Sequence, residues 1–311
     1  MKKYQQYLND QLHGRFLTPD GLQIVCASFD YDPERIGKHM LEMLAKFRNE
    51  GVIGKNTMLQ NSCFPILEFD DNPVAKLNPT HFAGEGFDTD KMVITFFPEV
   101  IEKLLAAKRI TEVCVIPGEN PLTVYRFAEK PDVLVTLGQV GCPACGGNLD
   151  LFHAMGIKKA MFCGGGGVLD KSIEVGQVLV VDGAIRDEGF SYHYIPASRV
   201  LHTDPAVTEK IIHCLEEKGV SYLRGLVWTT DAIFRETTDK IALRKEEGAK
   251  IVEMEQAGCI AVSQFRHFSY GALIYGGDDL SGEDWDGRSW RSREGIRYDL
   301  VLLCAELVSA I

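Results

Sequence analysis

Three consecutive residues of the chain, Glu253, Met254 and Glu255, combine two carboxylates with a thioether. The run before them, 248–252, is short, apolar and β-branched, and the run after them, 256–265, has helical spacing of its apolar residues. The two acids therefore stand where a strand ends and a helix begins, a place where free backbone N–H groups favour negative charge. A carboxylate there can accept two hydrogen bonds from a vicinal diol such as ribose. The alternative is a surface helix whose acids face water.

Three other stretches also place glycines or polar and aromatic residues directly after predicted strands: 164–167, 228–235 and 275–282. In sheets covered by helices, ligands bind beyond the carboxyl ends of the strands. A structural origin explains one such turn, but four together indicate one ligand pocket. The run 164–167 consists of four glycines, which indicates that something approaches the backbone closely. No Lys or Ser/Thr follows them as a P-loop requires.

From Lys91 onward the chain alternates between apolar strands and amphipathic helices. Strands are predicted at 92–97, 112–116, 132–137, 159–163, 177–181, 223–229, 248–252 and 272–276. A helix is predicted from Pro98, and further helices at 143–155, 205–217, 239–247, 256–265 and 293–308. Strands that are apolar throughout and separated by helices predict an α/β fold with a mostly parallel central sheet, covered by helices on both faces.

Residues 1–64 are predicted to form an N-terminal extension, and residues 65–311 the α/β domain. Within the extension we predict a strand at 22–29 and a helix that begins at Asp32 and stops at Gly51. A single helix cannot bury its apolar stripe alone. We therefore expect the extension to dock on the domain or on a neighbouring subunit.

The composition argues against nucleic-acid and membrane partners. The 311 residues carry a formal net charge of -11, and Lys and Arg form no block along the chain. Nucleic acids and anionic membranes both require clustered basic charge. The polar first residues are unlike a signal peptide, and no apolar run approaches the ~18 residues of a membrane span. These features predict a cytoplasmic protein.

The cysteine pattern raises two alternatives. The chain has nine cysteines, an odd number, mostly within apolar runs, which favours free buried thiols in a reducing compartment. Cys142 and Cys145 form one CxxC motif, which also occurs in redox and zinc sites. No second CxxC or His pair stands at ligand spacing, and glycines flank the motif. The sequence therefore favours a tight strand-to-helix turn, and we predict neither a metal site nor a dinucleotide cofactor.

The stretches described above resemble the nucleoside phosphorylase superfamily, which holds uridine phosphorylase, the hexameric type of purine nucleoside phosphorylase, and nucleosidases. The matching pieces are 164–167 with 175–180, then 230–234, 252–255 and 277–278. Their order and the intervals between them agree with the family, and 185–194 resembles the uridine phosphorylase-like branch in particular. The resemblance runs from about residue 65 to the end of the chain.

The resemblance implies roles for individual residues. Glu255 would hold the ribose hydroxyls, with Glu253 and Met254 lining the sugar, and Asp278 matches the acid that protonates the ring nitrogen of a purine. The base pocket would be formed by Gly165, Gly166, Gly167, Ile233 and Phe234, with Arg235 and His193 as further candidates. For Arg235 the alternative is an ion pair with Asp231 or Glu236, and for His193 a packed, hydrogen-bonded side chain.

The phosphate site departs from the family pattern. Gly164 and Gly165 fall where the family holds phosphate, but Phe162 stands at the Arg position, and Gly165 at the hydroxyl position. The first strand–helix turn, 96–100, also lacks an Arg. A dianion without charge-assisted partners binds poorly, unless a neighbouring subunit supplies an Arg. In the nucleosidase branch the same turn carries a Glu that activates water, and Glu99 stands near that place; the alternative is a first-turn helix acid.

The sequence therefore predicts cleavage of the N-glycosidic bond of a nucleoside. The resemblance favours phosphorolysis to free base and ribose 1-phosphate, with orthophosphate as co-substrate, no cofactor, and assembly into a homodimer, trimer or hexamer. Two alternatives remain: hydrolysis by water activated at Glu99, and a non-catalytic nucleoside-binding protein. The run 278–293 is interpreted either as a lid or as a solvated loop anchored by Trp285 and Trp290.

Overall fold

The structure is a computed structural model that describes residue 62 and residues 64–311. These residues fall into two compact units: Lys76–Ser191 with Ser198–Ile311, and a small unit formed by Tyr192–Ala197 with the described residues before Lys76. The strand predicted at 22–29 and the helix that begins at Asp32 lie outside the described residues. The domain boundary predicted after residue 64 stays a prediction.

The larger unit contains the strands and helices that concern the function. Its strands are β1 Lys91–Thr95, β2 Ile110–Ile116, β3 Leu122–Phe127, β4 Val133–Leu137, β5 Lys159–Val168, β6 Val178–Asp187, β7 Val200–His202, β8 Tyr222–Thr230, β9 Ala249–Glu253 and β10 Ser269–Asp279. Its helices are α1 Pro98–Ala106, α2 Cys142–Ala154, α3 Pro205–Glu217, α4 Thr238–Glu246, α5 Gln256–Arg266 and α6 Glu294–Leu307.

Local signals explain where several helices start and stop. α3 begins where the Asp204 side chain accepts a hydrogen bond from the N–H of Ala206 at 2.9 Å, and Pro205 occupies the first helical position. α1 and α2 likewise have a proline in the first turn. α5 ends at His267, whose φ of 59° is left-handed. These signals are local, and the predicted helix bounds lie within about two residues of those observed.

The strands form one mixed sheet in the order β10-β6-β8-β9-β5-β1-β4-β3-β2, with β7 beside β6. β10 also pairs with β5, so that β5, β9, β8, β6 and β10 close into a ring. The α/β class predicted from the sequence is confirmed. The parallel share of the sheet is smaller than predicted, since the β2–β3, β3–β4, β5–β9, β6–β7 and β6–β10 pairings are antiparallel.

The core covers both faces of the central strands. Met92 and Val93 are consecutive residues of β1 and point to opposite faces, yet neither is exposed. On one face, α1, α3 and α6 pack against the sheet in a cluster that includes Leu104, Ile211 and Val301; α2 and α5 pack against each other. In the described part of the chain, no helix combines the length and the apolar character that a membrane crossing requires.

Candidate functional site

The last residues of β5, β9 and β10 line an open cleft with a volume of about 1250 Å³. Small-molecule sites typically enclose about 300–1,000 Å³, so the cleft has room for a nucleoside and a second reactant. It brings together most of the residues predicted for the site, namely Gly164, Gly165, Gly166, Gly167, Ile233, Phe234, Glu253, Met254, Glu255 and Asp278. These residues come from four separate stretches of the chain.

The carboxylate of Glu253 caps a helix. One oxygen accepts hydrogen bonds from the N–H groups of Glu255 at 2.6 Å and Gln256 at 2.8 Å, and the other accepts one from the hydroxyl of Thr229. Burial, and secondly the charge of Glu255, raise the pKa of Glu253 to about 8, against the opposing effect of these donors. Glu253 therefore fixes the junction between β9 and α5 while it lines the cleft.

Glu255 is the N-cap residue of α5 and is buried in the cleft wall. Its Oε1 accepts a hydrogen bond of 2.8 Å from the N–H of Gly141, which precedes α2 and has a φ of 95°. Burial raises the pKa of Glu255 to about 7, although the hydrogen bond from Gly141 acts in the opposite direction. Gly141 is a supporting residue that the sequence did not reveal, because it lies 114 positions away along the chain.

A second pair of carboxyl groups lies elsewhere in the cleft. Asp278, near the end of β10, is half-buried, and its Oδ2 accepts a hydrogen bond of 2.7 Å from the indole N–H of Trp285. Glu236 follows the short turn Ile233–Arg235 and also lines the cleft. Burial, and secondly the charge of Asp278, raise the pKa of Glu236 to about 7. The sequence did not reveal Glu236 as a residue of the site, since a lone acid in a polar loop carries no signal.

The four glycines lie within strand β5 rather than in the turn that the sequence suggested. A Cβ atom on Gly165 would lie 2.8 Å from the ring of Tyr275, and one on Gly166 would lie 2.5 Å from the carbonyl oxygen of Val252. The protein's own neighbouring strands therefore require glycine at these positions. The expected close approach to the backbone is made, at least in part, by the protein itself.

Aromatic side chains occupy the end of the cleft where the resemblance places phosphate. Phe96, Phe97 and Phe162 line it, and the ring centroids of Phe96 and Phe162 are 5.1 Å apart. Arg288 is the one cationic residue among the described residues that line the cleft. Its guanidinium donates hydrogen bonds to the carbonyl oxygens of Gly277 and Ile173, both at 2.9 Å, and is therefore engaged in holding the loop after β10.

Glu99 stands in the first turn of α1, as predicted, but it does not line the cleft. Its Oε1 accepts a hydrogen bond of 2.7 Å from Arg297, whose guanidinium also donates to the hydroxyl of Tyr275 at 2.9 Å. The Arg297 guanidinium packs over the rings of Phe97 and Trp290, at 4.9 and 5.1 Å from their centroids. Because those two rings do line the cleft, Glu99 and Arg297 form an ion pair directly behind its wall.

One of the predicted base-pocket residues lies outside the residues that line the cleft. Arg235 is exposed, lies outside the lining, and forms no ion pair with Asp231 or Glu236. His193 lies in the turn Ser191–His193 and belongs to the smaller unit, so its place in the base pocket stays a prediction.

The CxxC motif forms the first turn of α2. Cys142 and Cys145 are buried, and the thiol of Cys142 accepts a hydrogen bond from the N–H of Gly258 at 3.3 Å. The Sγ atoms of Cys145 and Cys259 are 3.6 Å apart, and both cysteines are free. The motif thus lies in a strand-to-helix turn, as the sequence favoured. Among the described residues, no group of three or more His, Cys, Asp or Glu side chains is arranged to hold a metal ion.

The loop after β10 contributes side chains to the cleft, and its role as a lid stays a prediction. Trp285 and Trp290 both line the cleft, although Trp285 is 67% exposed. The backbone carbonyl of Trp290 accepts a hydrogen bond from the hydroxyl of Tyr275 at 3.1 Å. The indole N–H of Trp285, through Asp278, and the backbone of Trp290 therefore hold the loop to the cleft wall.

Comparisons with known proteins agree with this geometry. Residues 90–295 match the family model described as the phosphorylase superfamily. The chain is 22% identical over 170 residues to the guanosine phosphorylase of Halorubrum lacusprofundi, and the match covers 53% of this chain and 70% of that protein. It is 28% identical over 102 residues to the uridine phosphorylase of Thermococcus kodakarensis, and there the match covers 33% of this chain and 37% of that protein.

Solved structures with the same fold include a purine nucleoside phosphorylase and a nucleosidase. The purine nucleoside phosphorylase of Toxoplasma gondii, in complex with immucillin-H, has a TM-score of 0.60 at 17% identity and covers 71% of this chain and 91% of its own. The AMP nucleosidase of Bacteroides thetaiotaomicron has a TM-score of 0.58 at 21% identity and covers 71% of this chain and 89% of its own. At these identities the likeness concerns the fold alone.

Proposed function

Because the chain belongs to the phosphorylase superfamily, we propose that it is an enzyme that cleaves the N-glycosidic bond of a nucleoside. The observation that carries this proposal is the meeting of two carboxyl pairs in one cleft: Glu253 with Glu255, and Asp278 with Glu236. A nucleoside presents a diol at one end and a nitrogen-rich ring at the other. The two pairs can serve these two ends.

Glu255 is the residue that we assign to the ribose hydroxyls. Its neighbour Glu253 is committed to the backbone of α5, whereas the hydrogen bond from Gly141 leaves the Glu255 carboxylate in the cleft wall as an acceptor. Ile233 and Phe234 are 52% and 94% exposed at the cleft. Exposed apolar side chains of this kind can pack on the face of a base.

The chemistry follows from the charges that develop as the bond breaks. The ribose ring becomes positive and the base becomes negative. Carboxylates beside the sugar stabilise the first charge, and an acid beside the base neutralises the second. Glu255 lies in the cleft to supply the first effect and the pair Asp278 and Glu236 to supply the second, and the reaction requires no cofactor.

Orthophosphate is the acceptor that we propose for the anomeric carbon, as the names of the curated relatives suggest. Within the described part of the chain, Arg288 is the one cation that lines the cleft, and it is engaged with backbone carbonyls. We therefore place the cation for phosphate on a second copy of the chain. We expect light scattering to give a molar mass of two or more chains; a monomer at assay concentration would contradict the shared phosphate site.

Water is the second candidate for the acceptor. The observation that favours it is the aromatic lining by Phe96, Phe97 and Phe162, which offers no charge-assisted partner to a dianion. Glu99 could act on such a water only if it left Arg297, since their ion pair lies behind the wall of the cleft. Hydrolysis by Glu99 would then require this ion pair to open.

The test is base release from a panel of purine and pyrimidine nucleosides, measured in buffers with and without orthophosphate. Release that depends on phosphate is the expected result. Release at the same rate without phosphate would make water the acceptor. Thermal stabilisation by nucleosides without any base release would overturn catalysis and leave a binding protein.

A further inference from the structure

Glu236 is an acid of the cleft to which neither the sequence nor the family resemblance assigns a role. The three residues before it, in the turn Ile233–Arg235, are exposed, but Glu236 itself is half-buried and faces the cleft. Its carboxyl group makes no hydrogen bond or ion pair with any other residue that the structure describes. A partly desolvated carboxylate without a partner is costly, so this group favours a proton or a ligand.

Asp278 is the charged group that acts on Glu236, and the two acids differ in their partners. The indole N–H of Trp285 donates to Asp278 at 2.7 Å. Glu236 has no such donor among the described residues. Burial disfavours the charged form of a carboxyl group, and a like charge nearby disfavours it further. Burial, together with the charge of Asp278, raises the pKa of Glu236 to about 7.

The other charged groups of the cleft do not offset the effects of burial and of Asp278 on the pKa of Glu236. Glu253 and Glu255 are acids and would oppose a further negative charge. Arg288 is bound to backbone carbonyls. Along the chain, the neighbours Arg235 and Asp239 are both exposed to solvent.

We propose that Glu236 is a further catalytic residue, which delivers its carboxyl proton to the leaving base from the cleft that Asp278 also lines. The proposal rests on the proposed function. As the bond between the anomeric carbon and the base nitrogen breaks, its electron pair moves onto the base, and the proton of Glu236 bonds to a nitrogen or oxygen of that base. The acceptor bonds to the anomeric carbon. Glu236 is left as a carboxylate and regains a proton from solvent.

The experiment compares Glu236→Gln with the wild-type protein on two substrates. One is the nucleoside that the wild type cleaves fastest, and the other is a nitrophenyl riboside, whose leaving group departs as a stable anion and needs no proton. We expect the variant to lose about 100-fold in kcat on the nucleoside, the usual contribution of a general acid, and to keep nearly wild-type rates on the nitrophenyl riboside. Glu246→Gln, at an exposed acid in α4, is the matched control.

The pH profile gives a second readout. The protonated form is the active one, so wild-type kcat on the nucleoside should fall as the pH rises through about 7. This fall should be absent in Glu236→Gln. In Asp278→Asn it should move to lower pH, because the charge that raises the pKa of Glu236 is removed.

Three outcomes would overturn the inference. Equal losses on both substrates would give Glu236 a structural or binding role, and unchanged kinetics would give it none. If the wild-type protein cleaves the nitrophenyl riboside but no nucleoside, it does not protonate a leaving base, and the proposed role of Glu236 is wrong. By contrast, a wild-type protein that cleaves neither substrate would overturn the proposed function itself, and this inference with it.

Discussion

Glu253 and Glu255 are two residues apart and of the same type, but their carboxylates have different roles. The Glu253 carboxylate accepts two backbone N–H groups at the start of α5 and the hydroxyl of Thr229. The Glu255 carboxylate accepts a hydrogen bond from the N–H of Gly141, in the turn before α2. The difference lies in the donors that surround each side chain. The capping acid fixes the backbone, and the other is free to serve a ligand.

Glu255→Gln tests the ribose assignment. The amide oxygen of Gln can still accept from Gly141, but it carries no charge to hold two hydroxyls or to stabilise a positive sugar. We expect kcat/KM for nucleosides to fall by about 100- to 1000-fold, while the thermal midpoint stays near that of the wild type. Steady-state kinetics and a thermal melt measure the two effects. Wild-type kinetics in this variant would remove Glu255 from the sugar site.

At the scale of elements, β5 is the strand on which the site is built. It pairs in parallel with β1 and β10, and in antiparallel with the end of β9. Its glycines let the ring of Tyr275 and the backbone of Val252 come close without a Cβ atom between them. This close pairing brings the ends of β9 and β10, with Glu253 and Asp278, to one cleft.

Gly166→Ala tests the close pairing. The new Cβ would lie 2.5 Å from the carbonyl oxygen of Val252, and backbone cannot move aside cheaply. We expect the free energy of unfolding to fall by about 1–3 kcal/mol. The matched control is Gly147→Ala in α2, where nothing lies within 4 Å of the new atom and helix propensity predicts a gain of about 1 kcal/mol. If denaturant titrations give both variants the wild-type free energy of unfolding, the close pairing does not require glycine at position 166.

At the scale of the whole molecule, several acidic side chains lie together in one cleft of a protein that is already acidic. The formal net charge is -11, and Glu253, Glu255 and Glu236 all have raised pKa values inside the same cleft. Around neutral pH the folded state therefore binds protons that the unfolded chain has released. Stability is linked to pH through these groups, and the same groups are the ones proposed to bind and cleave the substrate.

The linkage predicts how stability depends on pH. The ordinary pKa of a Glu is 4.5, and Glu253 has a folded-state pKa of about 8. Between these values the folded state binds more protons, so Glu253 makes the free energy of unfolding fall as the pH rises. For one such group the slope is at most about 1.4 kcal/mol per pH unit. In denaturant titrations from pH 5.5 to 8, the free energy of unfolding should fall less steeply with pH for Glu253→Gln than for the wild type. Equal slopes for the two proteins would contradict the raised pKa of Glu253.

Much of the fold was readable from the sequence because the signals are local. The helix predicted at 205–217 has the bounds of α3, since a capping Asp204, a first-turn proline and a helical repeat lie within it. The strand-to-helix junction at Glu253 and Glu255 followed in the same way. The β3 and β7 strands were missed, since β3 is mostly polar on its half-buried positions and β7 has three residues.

Only the tertiary structure decided which distant residues act together. Gly141 and Glu255 are 114 positions apart, and Glu99 and Arg297 are 198 apart. No periodicity or cap encodes such pairs, because strand order and register set the distances between them. The sequence determined that acids, glycines and aromatic residues stand at the strand ends. The strand pairing decided that Glu236 and Asp278 line one cleft, and the packing of α1 against α6 placed Glu99 behind its wall.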